Sequence, residues 1–496
     1  MIRHVRPRAL ALAALLVAAP LPFGSVAPEP ATILLVAALA ALVLAIWTVE
    51  VVDRPEPASD TRSPHSHRSL PRELALAAAA LAAVALLGWL QSLPAPAAVT
   101  GLLAPETVRL TQQARALTGP VPEVASGDEV ASGNEAASGA GDRSIALSLA
   151  PAASRSAALD WLLPVAGFLA AAWIGASRRV RRTLFGALLL AATVQVVIGV
   201  AQWISRSNTL WGVTVLSVGS RLRGSFVNPN HLALFLEIAL AVAFAWLWWA
   251  VRRTLLGGVG ADGGRAEDRL LAVGPPAVVF LAIFGGLVLT GSRAALLSVI
   301  IAMGVQGIVI SGGGSRRGRK WILAGGLAGG VAGAAAIAAL GAEGAFTRLT
   351  ASSIDELGGG YRIEAAGATF DLFQLFPWTG SGLGTFQAAF PLVQPATIPG
   401  FWRHAHADWI EYLATTGILG ALLLGAGLFF YGRRLRRVVL YGERSEGRAA
   451  GLAALGALVA VGIHSFADFG LTMPANAFAL AVVAGAAGAT RIPKKS

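Results

Sequence analysis

A short polar stretch, HAHADWIE at residues 404–411, stands at the start of a long apolar run. Asp408 and Glu411, three residues apart, fit a capping box, in which both side chains bind backbone N–H groups of a first helical turn. The histidines are not needed for such a box. A helix N-terminus disfavours the imidazolium ion, so His406 is predicted to be neutral and able to take a proton from a hydroxyl group. On the residues alone, an ordinary interfacial histidine is an equally good interpretation.

Arginines precede another predicted helix start. Arg221 and Arg223 lie just before VNPNH, where Asn228 suits the N-cap and Pro229 suits the first helical position. The unpaired N–H groups of a helix N-terminus attract anions, and phosphate is a preferred partner of arginine. This segment is therefore predicted to hold an anion.

A third arginine lies between two apolar runs. In TGSRAALL, Ser292 is the predicted cap and Arg293 follows it inside the helix. An arginine in the middle of a membrane helix costs roughly 2.5–3.5 kcal/mol on insertion scales, and residues kept in such places are usually functional. Arg293 therefore extends the predicted anion site, with His406 as a potential general base.

A metal site is the competing interpretation of the two histidines and Asp408. Helical residues two apart point to different faces, so the HxH pair would need an extended segment and a third ligand. Magnesium or manganese would favour paired carboxylates, and only Asp408, Glu411 and Asp468 are at hand. Neither a metal nor another cofactor is expected.

The elements that position these residues are predicted to be membrane helices. The chain has 496 residues, of which 55% are hydrophobic and 13% charged, whereas soluble domains carry about 25% charged residues. A helix needs about 20 apolar residues to cross the hydrocarbon core. Twelve such stretches are predicted, near 9–28, 30–51, 73–93, 157–176, 183–204, 229–250, 271–290, 294–311, 321–341, 408–430, 449–466 and 475–490. The fold class is thus all-α and polytopic.

The first stretch resembles a signal peptide because three arginines precede it. Its end, PLPFGSVAP, lacks a small-x-small cleavage site, and further apolar stretches follow. We expect a retained helix.

Basic residues are concentrated in alternate predicted loops. Seven segments hold 28 of the 39 Lys and Arg residues: 1–8, 53–72, 178–182, 251–269, 315–320, 432–448 and 491–496. The positive-inside rule places these segments, and with them both termini, in the cytoplasm. The net charge of +12 therefore reflects topology, and no nucleic-acid binding is expected.

Long segments are predicted on the outer face, at 94–156, 205–228 and 342–407. The first contains VASGDE, VASGNE and AASGAG in tandem, a repeat too small and polar to form a core. The predicted N-terminal part of the chain, 1–156, consists of three membrane helices followed by this loop. The remaining part, 157–496, is predicted to be the main membrane core, with 408–496 as its C-terminal helices.

The segment 342–407, before the tenth predicted helix, contains YRIEAAGATFDLFQLFPWTGSGLGTF. Four apolar residues recur in it at helical spacing: Ile363, Ala366, Phe370 and Phe373. This spacing predicts an amphipathic helix of about four turns before Pro377, suited to the membrane surface or to covering a cavity. A G-x-G-x-G follows, but without a preceding strand it does not indicate dinucleotide binding.

Together, these motifs resemble the O-antigen ligase and O-antigen polymerase superfamily of bacterial membrane proteins. Its signature is a histidine eleven residues before a G-x-x-G within a transmembrane helix, and His406, Gly417 and Gly420 have this spacing. The family usually has Asn, Ser or Gln directly after the histidine, whereas this chain has Ala407. That difference weakens any role for an amide there.

Other segments, over roughly 200–480, resemble the same family. RLRGSFVNPNHLA is similar to its R-x-x-G-x-F-x-N-x-N segment, which aligns Arg221, Asn228 and Asn230. TGSRAALL is similar to its S-R-x-x-x-L turn, and the predicted amphipathic helix with its glycine turn is similar to a periplasmic helix of the family. PLPFGSV also resembles a segment of the family, and HSFADFGLTMPANA resembles a C-terminal block of exopolysaccharide members.

The resemblance implies transfer of a glycan from undecaprenyl diphosphate to an acceptor hydroxyl at the periplasmic face of the inner membrane, without a metal. In that mechanism His406 is the base, and Arg221 and Arg293 hold the diphosphate. Further diphosphate-binding candidates are Arg223, Arg362 and Arg403. The expected supporting residues are Asn228, Asn230, Asp408 and Glu411.

The expected partners are this donor, an acceptor and the lipid bilayer. Three acceptors remain open: the lipid A core, a growing polysaccharide or a protein. The C-terminal block slightly favours exopolysaccharide polymerisation.

A secondary transporter or a flippase for lipid-linked saccharides is the alternative from another class. Twelve helices with both termini inside would suit it. Transporters, however, usually place ionisable groups near the bilayer midplane on broken helices and contain internal repeats. Here the ionisable groups cluster at outer helix ends, and no repeat is evident.

Overall fold

The computed structural model describes residues 7–52, 69–118, 144–207, 209–214, 221–256, 266–311 and 359–493. Helices α1–α7 are Pro7–Ala18, Pro28–Val52, Arg72–Gln91, Ala97–Leu103, Pro105–Thr118, Pro151–Ile174 and Arg178–Ser205. Helices α8–α15 are Pro229–Val251, Ala266–Leu289, Arg293–Ser311, Gly359–Leu375, Phe386–Ala389, Asp408–Tyr441, Arg444–His464 and Pro474–Gly488. Two short antiparallel strand pairs are β1 (Pro94–Pro96) with β2 (Ser144–Ala146), and β3 (Thr209–Leu210) with β4 (Val213–Thr214).

The prediction of an all-α polytopic membrane protein is confirmed. Within the described residues, nine helices are long and apolar enough to cross a membrane, and α1 and α15 are shorter apolar helices. Eleven of the twelve predicted stretches coincide with these helices at least in part. The twelfth, 321–341, lies outside the described residues, as does the tandem repeat.

Two predicted boundaries differ from the structure. The first stretch, 9–28, is helical only to Ala18, because Pro20 and Pro22 interrupt the helix and Gly24 has a φ of +71°. The predicted loop 94–156 contains α4, α5 and the β1–β2 pair in its described parts. The polar tandem repeat in this segment led to the prediction of a loop throughout, and the short helices and strands on either side of the repeat were not predicted.

The chain forms two compact units. Unit 1 is the described part of Met1–Ala78, Leu163–Ser353 and Leu428–Ser496. Its centre is α8, of which fifteen residues are buried and which packs against α7, α9, α10, α14 and α15. A helix that is apolar all round is expected at the centre of a bundle.

Unit 2 is the described part of Ala79–Leu162 and Ile354–Gly427. One of its cores joins Ala365 and Ala368 of α11 to Phe386 and Phe390. Leu372 of α11 lies in a second small core. This unit carries the polar loop that precedes α13.

The helix predicted before Pro377 is confirmed as α11, and the face that packs inside unit 2 is not the one formed by its four regularly spaced apolar residues. Ala365, Ala368 and Leu372 are buried, whereas Ile363 is 70% exposed and Phe370 is 45% exposed. Small alanines allow α11 to approach the phenylalanines of its core, and the larger apolar side chains face outward. An outward apolar face is typical of a helix at a membrane surface.

Candidate functional site

In unit 1, Arg221 is fixed at the start of α8. Its Nε donates to the carbonyl oxygen of Thr290 at 2.6 Å, and its Nη2 donates to Oδ1 of Asn230 at 2.5 Å. The predicted cap is confirmed, since the backbone N–H of Asn230 donates to Oδ1 of Asn228 at 2.9 Å. Two asparagines of one helical turn thus hold the helix end and the guanidinium.

Arg293 lies in the turn that Arg221 contacts. Gly291 has a φ of +63°, and a Cβ there would lie 3.4 Å from Nε of Arg221. Arg293 is the first residue of α10, and the N–H of Ala295 donates to Oγ of Ser292 at 3.4 Å, as expected for a cap. The structure therefore brings Arg221 to the turn that carries Arg293.

The segment that carries Arg221 is anchored by a glycine and a glutamine. Gly224 has a φ of +58°, and a Cβ there would lie 2.5 Å from Oε1 of Gln195. The same oxygen accepts hydrogen bonds from the backbone N and Oγ of Ser225, both at 2.8 Å. This close approach explains why the R-x-x-G pattern needs glycine.

The PLPFGSV turn packs on the same segment. A Cβ on Gly24 would lie 2.7 Å from the ring of Phe226, which is fully buried. Oγ of Ser225 also lies 2.5 Å from the carbonyl oxygen of Pro20, a second acceptor within reach of its single hydroxyl proton. Two motifs 200 residues apart in the sequence thus form one structure behind Arg221.

Arg223 occupies a different environment in the same segment. It is only 6% exposed, and desolvation by burial lowers the pKa of its guanidinium. Its positive charge is therefore held inside the protein rather than in water.

A polar cluster that the sequence did not predict lies beside this segment. Nδ1 of His464 lies 2.5 Å from Oε1 of Glu237, and both residues are buried. Nε2 of His231 lies 4.0 Å from Oδ1 of Asp468. Glu237 lies within the apolar sequence of α8. Its position in the sequence does not indicate that it pairs with His464.

In unit 2, Glu411 organises the loop of residues 401–407 before α13, which we call the histidine loop. Oε1 of Glu411 lies 3.0 Å from Nδ1 of His404, and Oε2 accepts the backbone N–H of Ala405 at 2.7 Å. Asp408 is the first residue of α13. The predicted capping box is therefore modified, because the carboxylate of Glu411 reaches back past the helix start to the loop.

His406 adopts an unusual backbone conformation in this loop. Its φ is +54°, in the left-handed region that is uncommon for residues other than glycine. The side chain is half-buried, and its ring meets the ring of Trp402 edge-on, with centroids 5.4 Å apart. Such strain persists where the surrounding structure enforces it, and it is often associated with function.

The first glycine of the G-x-x-G, Gly417, lies at a kink in α13. Gly417 has φ +63° and ψ −166° inside the helix. A Cβ there would lie 2.5 Å from the carbonyl of Trp378. The backbone N–H of Ile418 instead donates to the carbonyl of Pro377 at 2.8 Å. The kink therefore lets the glycine turn after α11, residues 380–384, pack closely against α13.

The glycine turn is fastened further by Gln91, which is fully buried. Nε2 of Gln91 donates to the carbonyl of Thr379 at 2.5 Å, and its Oε1 accepts the N–H of Leu383 at 2.9 Å. The glycines therefore serve close backbone packing in this unit.

The segments that carry the remaining two arginines pack into one small core. Arg362 is in the first turn of α11, one turn before Ala365, and Arg403 is exposed in the histidine loop. Ala365 and Ala405 belong to the same hydrophobic cluster. Within unit 2, this cluster connects the segments that carry Arg362, Arg403 and His406.

A metal-binding role gains no support from the geometry. Across the described residues, no group of three or more His, Asp or Glu side chains is arranged to hold a metal ion. His404, half of the HxH pair, lies beside Glu411 in the contact that organises the loop.

Part of the chain is similar to a known protein family. No curated protein matches the chain, but residues 277–425 match the family model described as O-antigen ligase. The matched segment includes Arg293, α11, the histidine loop and the kink of α13. Over residues 277–425 the chain is therefore similar to the O-antigen ligase family.

Proposed function

We propose that this protein transfers a glycan from undecaprenyl diphosphate to an acceptor hydroxyl at the periplasmic face of the bacterial inner membrane. The observation that carries the proposal is the histidine loop. It lies within the segment that matches the family, and Glu411 holds it while His406 takes a left-handed φ. A base fixed by its neighbours is what proton transfer in a catalytic site requires.

In the proposed reaction, His406 takes the proton of the acceptor hydroxyl. The acceptor oxygen forms a bond to the anomeric carbon of the glycan, and the bond from that carbon to the diphosphate breaks. Undecaprenyl diphosphate then leaves with the electron pair. Cationic groups stabilise the negative charge that develops on this leaving group.

Arg221 and Arg293 are the proposed diphosphate ligands. The guanidinium of Arg221 is oriented in advance, because its Nε and Nη2 donate to Thr290 and Asn230. Arg223, Arg362 and Arg403 are further ligands in this proposal.

The acceptor is the lipid A core, a growing polysaccharide or a protein hydroxyl, and the three define a ligase, a polymerase and a protein glycosyltransferase. The distribution of the basic segments supports a topology with both termini in the cytoplasm. The proposed site then faces the periplasm.

The test uses purified protein in liposomes with a radiolabelled undecaprenyl-diphosphate oligosaccharide, followed by thin-layer chromatography. His406→Ala is expected to lower transfer by roughly 10²–10⁴-fold, the usual contribution of a general base. Arg293→Gln is compared with Arg109→Gln, a matched control at an exposed arginine that pairs with Glu106. Only Arg293→Gln should weaken use of the donor.

The acceptor arms separate the activities. A product ladder without added core indicates a polymerase, transfer only with lipid A core indicates a ligase, and label on an added acceptor protein indicates a protein glycosyltransferase. Unchanged donor in the wild type with all three acceptors contradicts the proposal. Movement of unchanged donor across the bilayer would then identify a flippase.

A further inference from the structure

Unit 1 contains a cavity that the proposed transfer reaction does not use. Its volume is about 780 Å³, and its wall is built by the turn from α6 to α7, the start of α14, Arg8 of α1 and Arg491 after α15. This volume lies within the range of roughly 300–1,000 Å³ that is typical of small-ligand sites.

The wall carries a large excess of positive charge. Among the described residues, seven arginines and two glutamates line the cavity. Glu446 pairs with Arg178 and makes two hydrogen bonds to Arg182, at 3.0 and 3.1 Å. Two carboxylates cannot balance seven guanidinium groups, so the cavity attracts anions.

Two of these arginines are buried rather than displayed to water. Arg8 is 7% exposed and Arg181 is 6% exposed. Nη1 of Arg181 donates to the carbonyls of Gly175 and Ala176 at 2.8 and 3.0 Å. Among the described residues, nothing accepts a hydrogen bond from its buried Nε. The positive-inside rule accounts for arginines in cytoplasmic loops, but not for the cost of burying them.

Helix ends add to the same field. Helix α7 begins at Arg178 and α14 begins at Arg444, both in the cavity wall. Neither N-cap residue, Ser177 or Glu443, makes a side-chain capping hydrogen bond. The positive ends of two helices therefore lie at the cavity, where they favour phosphate.

The cavity is remote from Arg221. Gly199 of α7 packs against Leu222, since a Cβ on Gly199 would lie 2.5 Å from that side chain. Gly199 is 21 residues from Arg178, which corresponds to about 30 Å along a helix. The two basic regions are thus near opposite ends of α7.

We propose that this cavity binds an anion carrying at least two phosphate groups, supplied either by the headgroup of an anionic phospholipid or by a soluble diphosphate. Arginine forks and helix N-termini recognise the phosphate oxygens. Basic pockets between membrane helices are known to hold such headgroups. The site is independent of glycan transfer, because it uses none of the residues assigned to that reaction.

The test compares two triple variants of the full-length protein. The cavity triple is Arg179→Gln, Arg444→Gln and Arg491→Gln, which changes exposed side chains in the wall. The control triple is Arg252→Gln, Arg433→Gln and Arg436→Gln, which changes exposed arginines outside the wall. Both remove the same charge.

One arm measures cardiolipin retained from phosphatidylcholine nanodiscs by native mass spectrometry, and the other measures inorganic pyrophosphate binding by calorimetry in neutral detergent. The wild type and control triple should bind in at least one arm, and the cavity triple should bind at least about tenfold more weakly there, having lost three of its phosphate donors. Binding only in the first arm identifies a lipid headgroup, and binding only in the second identifies a soluble anion.

Absence of binding to the wild type in both arms overturns the proposal, as does equal binding by the two triples. Gel filtration checks that each variant is folded. If the cavity triple is not folded, the single variants Arg491→Gln and Arg433→Gln replace the two triples. Only Arg491→Gln should then weaken binding.

Discussion

Arg221 and Asn230 are joined at the first turn of α8, where Nη2 of the arginine donates to Oδ1 of the asparagine at 2.5 Å. The amide oxygen orients the guanidinium without neutralising it. This distinction matters, because a carboxylate at the same position would orient the group equally well and cancel its charge.

The first prediction follows from that pair. Asn230→Asp should keep Arg221 in place but lower its affinity for a diphosphate, raising the KM for the lipid-linked donor by about tenfold, which corresponds to ~1.4 kcal/mol. Asn230→Ala should lower turnover as well, because the guanidinium loses its orientation. Steady-state kinetics with the lipid-linked donor measure both, and an unchanged KM in the Asp variant would contradict the role of Arg221.

A second prediction concerns Glu411. Glu411→Ala removes the acceptor of the Ala405 N–H and the partner of His404. The cost should be about 1–3 kcal/mol of unfolding free energy, because a largely buried donor loses its acceptor. Transfer activity should fall together with stability.

The matched control for Glu411→Ala is Glu364→Ala, since Glu364 also lies in unit 2 and binds a single hydroxyl, that of Thr397, at an exposed site. Thermal unfolding in detergent should show a smaller change for this variant. Equal shifts for the two variants would argue against a special role of Glu411 in holding the loop.

The kink of α13 gives a third prediction. Gly417→Ala should destabilise the protein by at least ~1–3 kcal/mol, because the φ of +63° strains an alanine and the added methyl meets the Trp378 carbonyl. Gly425→Ala in the same helix has no atom within 4 Å of the new Cβ. It should be neutral or stabilise by up to about 1 kcal/mol. Melting curves of the two variants measure this difference in stability. A Gly417→Ala protein as stable as the wild type would rule out the kinked conformation.

A fourth prediction concerns Gln91. Gln91→Leu leaves the N–H of Leu383 and the carbonyl of Thr379 without their side-chain partner in a fully buried site. We expect a loss of about 1–3 kcal/mol. The control is Gln387→Leu, which changes an exposed glutamine four residues after Leu383. This variant should be nearly neutral. Comparable melting temperatures for the two variants would show that Gln91 does not hold the glycine turn.

The membrane class and most of the helices could be predicted from the sequence alone. Long apolar runs leave few alternatives in a bilayer, where backbone groups must bond within their own segment. The N-cap at Asn228 was also predictable, because capping involves residues only two positions apart. These features depend on composition and on local geometry.

Other features required the tertiary structure. The buried face of α11 could not be read from its periodicity, because the packing partner selected small alanines and left Ile363 and Phe370 outside. The spacing of Asp408 and Glu411 predicts a capping role for Glu411, whereas its oxygens bind the loop before the helix.

The sequence by itself determined the chemistry available at each position: a histidine before a G-x-x-G, arginines at helix starts and apolar spans between them. The tertiary structure decided which of these groups meet. Arg221 binds Thr290, Phe226 packs on Gly24, and His464 pairs with Glu237, each across tens to hundreds of residues. Such contacts depend on how whole helices pack, and sequence spacing carries no information about partners so far apart.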